Sequence, residues 1–296
     1  MTCRNLAPLS ASIQRRLFVA AAGGAMLGWL SPADAAVRSV VLVHGAFADG
    51  SGWRPVADIL QSDGYSVYVV QEPETSVEAD VAATRRVLDK AGASVLVGHS
   101  YAGLIISEGG MHPDVKALVY EAAFQPDIGE NIATLAGRMP PASASVVPVG
   151  DDFLTVEPNA FPNDFAPDVP KPIARFMAIS QVPASNETFT AKAAAAAWKD
   201  KPSYAVVAMQ DRMINPDLER WMTKRAGSQT IELSGSHAIF VSHPRESGGA
   251  DRKGGRGGGL AARLAPRGEK KVAQAGAVRH KVIVDAITSH VPDRVE

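Results

Sequence analysis

The stretch Ser94-Val95-Leu96-Val97-Gly98-His99-Ser100-Tyr101-Ala102-Gly103-Leu104-Ile105-Ile106 decides how the rest of the chain is read. A short apolar run, rich in β-branched residues, has the composition of a buried strand. It ends in a turn of small residues that carries one serine, and an apolar segment of helical character follows at once. A strand, a sharp turn with serine at its apex and then a helix make a nucleophile elbow. The turn holds the hydroxyl clear of the sheet, and the start of the helix aims backbone N–H groups at negative charge developing beside it. The pattern departs from G-x-S-x-G at its last position, where Ala102 stands and Gly103 follows. Alanine adds one methyl group and is read as a tolerated variant.

Outward from the elbow, the same rhythm runs in both directions. Upstream, residues 38–44 predict a buried strand that enters the glycine-bearing loop 45–52. Ser51 is placed to cap a helix whose apolar positions Trp53, Val56, Ile59 and Leu60 share one face. Asp63-Gly64 turns the chain into a strand over 65–70. Thr75 and Glu78 then suggest a capping box for a helix that buries Val77, Val81 and Leu88 and stops at Gly92. Downstream, residues 115–120 predict another strand. Apolar strands separated by helices imply a mostly parallel α/β sheet covered on both faces.

The rhythm breaks between Phe124 and Trp198, a stretch with ten prolines. Prolines at that density exclude regular strand–helix units. The segment about 124–198 is read as a helical lid inserted over the C-terminal edge of the sheet, with short helices expected at 128–138, 171–180 and 186–199. The sheet resumes at 203–209, followed by Gln210-Asp211, a helix over about 217–225, and a last strand at 229–233 that runs into Ser234-Gly235-Ser236-His237.

The chain has 296 residues, of which 46% are hydrophobic and 21% charged, with a formal net charge of −1. That balance fits a globular α/β domain, and no whole-chain bias points to nucleic acid. Residues 1–35 read as a signal peptide of twin-arginine type. Arg15-Arg16 precede an apolar run from Leu17 to Leu30, and Ala33-Asp34-Ala35 offers a cleavage site before Ala36. The expected location is periplasmic or secreted, with no stable membrane insertion after cleavage. The one cysteine, Cys3, lies in that segment, so the domain at 36–246 has no thiol chemistry. Residues 247–296 differ in kind. They hold ten Lys or Arg against five Asp or Glu, and eight glycines fall within 247–268. Such a tract buries little apolar surface and is expected to be largely disordered, although Val282 to Val291 has the makings of a short helix.

Serine needs a base within hydrogen-bond reach, and the base needs an orienting partner. Ser100, Asp211 and His237 each fall just past a predicted strand, in the chain order Ser, Asp, His. In this reading Ser100 is the nucleophile, His237 the base and Asp211 the acid, with Glu121 the alternative acid and His243 the alternative base. An oxyanion needs backbone donors. Tyr101 N–H is one candidate, and the loop after the first strand supplies the other, Ala46 N–H or alternatively Phe47 N–H. His44 is read as bracing that loop. Phe47, Phe124 and Trp198 are candidate walls of a substrate pocket. No metal-ligand spacing and no dinucleotide fingerprint is legible, so neither metal nor cofactor is expected.

Val-Leu-Val-His-Gly at 41–45, Val-Gly-His-Ser-Tyr-Ala-Gly at 97–103, Asp211 with Ile214 and Pro216 behind it, and Gly-Ser-His at 235–237 together resemble the α/β-hydrolase superfamily. The resemblance spans about residues 38–246. It is most similar to compact bacterial hydrolases related to plant methylesterases and hydroxynitrile lyases. It implies the same Ser100, Asp211 and His237 triad, with Ala46 and Tyr101 in the oxyanion hole, acting on a small-molecule ester. Two other outcomes stay open on this fold. One is a C–C lyase that uses the triad as base and a lid lysine (Lys171, Lys192 or Lys199) to bind the leaving anion. The other is a non-catalytic binding protein. The family also packs a C-terminal helix after the histidine. Here Ser242-His243-Pro244-Arg245-Glu246 begins one before glycine and arginine take over, as an altered reading frame would produce.

Overall fold

A computed structural model describes residues 37–243 and 282–286. Six strands form one parallel sheet: β1 (Ser39–Val43), β2 (Ser66–Val70), β3 (Ser94–His99), β4 (Val115–Glu121), β8 (Ser203–Ala208) and β9 (Gln229–Leu233), in the order β2-β1-β3-β4-β8-β9. The apolar runs read from the sequence lie in the middle. Every residue of β1, β3 and β8 is buried, whereas the edge strands β2 and β9 each keep exposed positions. A strand covered on both faces tolerates no polar alternation, which is why these segments read as continuous hydrophobic runs.

Helices α1 (Arg54–Ser62), α2 (Val77–Ala91), α3 (Ala102–Gly109) and α8 (Pro216–Ala226) connect the strands. The expected inward residues Val56, Leu60, Val77, Val81 and Leu88 are all buried. Two expected caps move by one or two residues. Asp49, not Ser51, caps the short 3-10 turn at Gly50–Trp53 that leads into α1. Ser76, not Thr75, caps α2, its hydroxyl accepting from Ala79 N–H at 3.1 Å. A hydroxyl one residue further on reaches the N–H three residues ahead of itself, so adjacent Thr and Ser compete and local geometry chooses.

β4 and β8 pair directly although the insertion lies between them, so it leaves and re-enters the sheet at one place. The insertion holds α4 (Ile132–Arg138), β5 (Val146–Pro148), β6 (Phe153–Val156), α5 (Phe161–Asp164), α6 (Lys171–Ile179), β7 (Ala184–Ser185) and α7 (Asn186–Thr190). The helix expected at 171–180 is α6. The one expected at 128–138 starts at the Asn131 cap, because Gly129 takes a positive φ of 83°. The one expected at 186–199 stops at Thr190. Ala191 turns extended there, and only a 3-10 turn, Ala197–Lys199, follows. The small antiparallel sheet β5-β6-β7 was not legible in the sequence: strands of two to four residues carry too little alternation to register.

Helix α9 (Ile239–Ser242) follows the histidine loop. Residues 282–286 are helical, and Val282, Ile283 and Ala286 join the buried core at 4%, 3% and 0% exposure. The segment 1–35, read from the sequence as a signal peptide, and most of the tail lie outside the described residues. Among the described residues no helix is long and apolar enough to cross a membrane.

Candidate active site

The sheet order reverses between β1 and β3: the chain goes from β1 outward to β2, then crosses back to lay β3 on β1's other side. The loops after β1 and β3 therefore diverge and leave a crevice beyond their carboxyl ends. Ser100 sits there. Its φ of 53° lies in the left-handed region, a strain that the elbow imposes on a non-glycine residue. Three glycines permit the turn, Gly45, Gly98 and Gly103, and a Cβ on Gly98 would stand 2.7 Å from the Ala102 carbonyl oxygen. A Cβ on Gly45 would stand 2.7 Å from Ser100 Cβ, and one on Gly103 would stand 1.7 Å from the Phe124 carbonyl oxygen. The close approach falls at residue 103, and Ala102 keeps its methyl group fully buried. That is the physical reason the elbow accepts alanine at its last motif position.

The three residues singled out in the sequence meet. His237 Nε2 lies 2.9 Å from Ser100 Oγ, and His237 Nδ1 lies 2.5 Å from Asp211 Oδ2. All three are buried. A carboxylate only accepts, so Asp211 holds the proton on Nδ1 and leaves Nε2 as a bare acceptor facing the serine hydroxyl. The other oxygen, Asp211 Oδ1, accepts the N–H groups of Met213 and Ile214 at 2.7 and 2.9 Å. These bonds are local, two and three residues along the chain. The alternatives fall elsewhere. Glu121 pairs in register with His99 on β4, and its backbone carbonyl accepts from Ser100 N–H. His243 Nδ1 lies 2.7 Å from the Ser242 hydroxyl.

Three neighbours hold His237 that the sequence did not single out. His99 Nε2 donates to the His237 carbonyl at 2.9 Å, and its ring lies 4.6 Å from the imidazole. Phe165 of the insertion meets the imidazole edge-on at 4.7 Å, and its carbonyl accepts Ala238 N–H. Asp168 accepts from both the backbone N–H and the hydroxyl of Ser236. A fourth group lies behind Asp211. Glu219, on α8, is buried, and its Oε2 accepts Ala208 N–H. Burial first, and the Asp211 charge second, push its carboxyl well above the usual range. Glu219 Oε1 meets no donor.

On the other side of Ser100, Phe47 N–H is taken up by Glu74 Oε2 at 3.3 Å. Among the described residues no acceptor meets Ala46 N–H or Tyr101 N–H, so these two donors remain for an oxyanion. His44 braces the loop as expected: Nε2 accepts Glu72 N–H at 3.0 Å, which puts the ring proton on Nδ1, 3.1 Å from the Gly45 carbonyl. The Phe47 ring stacks on Phe189 of the insertion at 5.7 Å. Phe124 reaches the elbow through its backbone, its N–H donating to the Ser100 carbonyl at 3.1 Å. Trp198 takes other neighbours. Its indole N–H donates to the Pro126 carbonyl, and Lys199 and Arg225 lie over its ring. Among the described residues no three metal-ligating side chains cluster as a metal site.

Comparison with known proteins gives the family and the fold. Residues 40–247 match the Alpha/beta hydrolase family. The chain is 31% identical over 130 residues to a carbendazim hydrolyzing esterase of Nocardioides sp. (strain SG-4G), across 38% of this chain and 53% of that one. It thus spans about half the length of the curated relative. Among solved structures it resembles a pyrethroid hydrolase from Sphingobium faniae JZ-2 (TM-score 0.62, 24% identity, covering 71% of this chain and 94% of that one). It also resembles an extracellular alpha/beta-hydrolase from a Paenibacillus species (TM-score 0.59, 20% identity, 70% and 94%) and polyneuridine aldehyde esterase (TM-score 0.62, 16% identity, 71% and 96%). The chain belongs to the alpha/beta hydrolase family, and it has the fold's parallel sheet, with the elbow serine at the sheet's switch point.

Proposed function

We propose that this chain is an exported serine hydrolase that cleaves a small carboxylic ester through an acyl-enzyme intermediate. One observation carries the reading: the buried chain of hydrogen bonds from Asp211 through His237 to Ser100, in which the bare imidazole nitrogen faces the hydroxyl. His237 Nε2 takes the Ser100 proton as Oγ attacks the ester carbonyl carbon. The oxygen of the tetrahedral intermediate takes the negative charge and accepts from Ala46 and Tyr101 N–H. Collapse breaks the bond to the alkoxy group, which leaves as the alcohol with the proton from His237. Water then repeats the sequence on the acyl-serine, with His237 as base, and releases the acid. Asp211 holds the imidazole tautomer and stabilises its cation. The carbendazim hydrolyzing esterase among the relatives supports an ester as the substrate class.

The lyase alternative asks for a cation beside Ser100. Lys171, Lys192 and Lys199 are all exposed, and Lys199 pairs with Asp127 at 2.5 Å, so hydrolysis is favoured. Export through a twin-arginine signal, with a mature chain beginning at Ala36, belongs to the same proposal. Mass spectrometry of the secreted protein checks the cleavage site. The chemistry is tested with a fluorophosphonate probe and a panel of p-nitrophenyl esters. The expected result is one label on the wild type, none on Ser100→Ala, and a loss of kcat/KM on the order of 10⁴-fold or more in that variant. Equal labelling of the two proteins rejects Ser100 as the nucleophile.

A further inference from the structure

Behind the crevice lies a group of buried acids that the proposed mechanism does not use. Glu72, Glu74 and Asp80 are 4%, 0% and 0% exposed. They sit between the loop after β1 and the first turn of α2, where carboxylates are costly to bury without partners. Glu74 and Asp80 have partners of an informative kind. Phe47 N–H donates to Glu74 Oε2 at 3.3 Å. Glu74 N–H donates to Asp80 Oδ1 at 2.9 Å, and the phenol of Tyr101 donates to Asp80 Oδ2 at 2.7 Å. The path from Phe47 to Glu74 to Asp80 to Tyr101 is unbroken. Its two ends are the neighbour of one donor residue, Ala46, and the other donor residue itself.

The backbone along this path is held in an uncommon state. Phe47, Glu74 and Ser100 have φ of 65°, 52° and 53°, all in the left-handed region and none of them glycine. Such residues persist only where their surroundings over-determine them. The side chain at 47 and the backbone at 100–101 have no covalent link shorter than fifty residues of chain, so their separation must be set by contacts. An oxyanion hole works only if its donors stand at the right separation before charge develops.

We infer that Glu74 and Asp80 form one buried bracket that sets the distance between the Ala46 and Tyr101 N–H donors. They are positioning residues for the oxyanion of the ester hydrolysis proposed above, and the inference rests on that reading. The bracket acts on the tetrahedral intermediate and leaves ground-state binding of the ester alone. The Tyr101 hydroxyl then matters to turnover although its bond is to Asp80, and Glu74 matters through the Phe47 N–H it holds.

The test compares Tyr101→Phe, which keeps the backbone N–H and removes only the hydroxyl, with Glu74→Leu, which removes the acceptor of Phe47 N–H. The expected result is a fall in kcat of roughly tenfold for each, with KM changed less than about twofold, since the donors these variants misplace meet the oxyanion only in the transition state. The double variant is expected to be no slower than the slower single one, because either cut opens the same path. Glu74→Gln is expected to recover most of the loss of Glu74→Leu, its amide oxygen again accepting Phe47 N–H. If Glu74→Leu does not fold, Tyr101→Phe alone decides. An active wild type whose Tyr101→Phe variant melts lower but turns over at unchanged kcat overturns the bracket, as does a double variant whose losses multiply. A wild type that neither takes a fluorophosphonate label nor hydrolyses any ester overturns the hydrolase reading, and the bracket falls with it.

Discussion

The two sides of His237 are built differently. On the sheet side, Asp211 is held by N–H groups two and three residues further along, at the end of a fully buried strand. On the insertion side, the imidazole leans on Phe165, and its loop is pinned by Asp168, about seventy residues away in the chain. The sheet side is regular and the insertion is a set of elements two to nine residues long. A strand end followed by a turn is specified by a dozen consecutive residues, so it can be read locally. A short element in a proline-rich insertion is specified by whatever it packs against, and its sequence carries little of that information.

The contrast can be broken most sharply at Asp211. Asp211→Asn offers an amide N–H where His237 now finds an acceptor, so the imidazole turns to the other tautomer and Nε2 no longer accepts the serine proton. The expected loss in kcat/KM is about 10⁴-fold with little change in the unfolding midpoint. A loss below about tenfold would mean that another carboxylate, such as Glu121, orients the histidine.

On the insertion side, Phe165→Ala probes whether the lid is part of the site or only covers it. Phe165 is fully buried, stacks on Phe161 at 4.4 Å and meets His237 edge-on. The expected cost is about 3–5 kcal/mol of stability in denaturant unfolding, together with a fall in kcat as the imidazole loses its wall. A stability loss with kcat intact would reduce the lid to a cover.

The smallest effect is a dependence of stability on pH from the acids behind the oxyanion loop. Burial pushes the Glu74 carboxyl from its ordinary 4.5 up to about 7, against the opposing pull of His44 and Phe47 N–H. The folded state therefore holds this proton more tightly than the unfolded chain does. The stability contributed by this one group is fully present below about pH 4.5, falls as pH rises towards 7, and is lost above that. The Glu74 contribution is on the order of 3 kcal/mol. Burial pushes Glu72 and Asp80 in the same direction. Denaturant midpoints between pH 5 and pH 8 are expected to fall less steeply in Glu74→Gln than in the wild type. Parallel slopes would show that Glu74 is ionised across the range.

By itself, the sequence determined the parallel sheet, the elbow at Ser100 and the candidates Asp211 and His237. It could do so because periodicity, turn chemistry and strand ends are local properties of consecutive residues. It also narrowed the candidate oxyanion donors to Tyr101 and one of two loop residues. The tertiary structure decided what proximity alone can decide. It brought Asp211 rather than Glu121 to the imidazole, and it occupied Phe47 N–H with Glu74 so that Ala46 N–H was left over. It also set His99, Phe165 and Asp168 around a histidine from which they are remote in sequence, and it gave Trp198 to Pro126 and Arg225. The reason is the range of the forces. A hydrogen bond reaches no further than about 3.5 Å, and no pattern along the chain records which of many donors and acceptors will be that close once the sheet has closed.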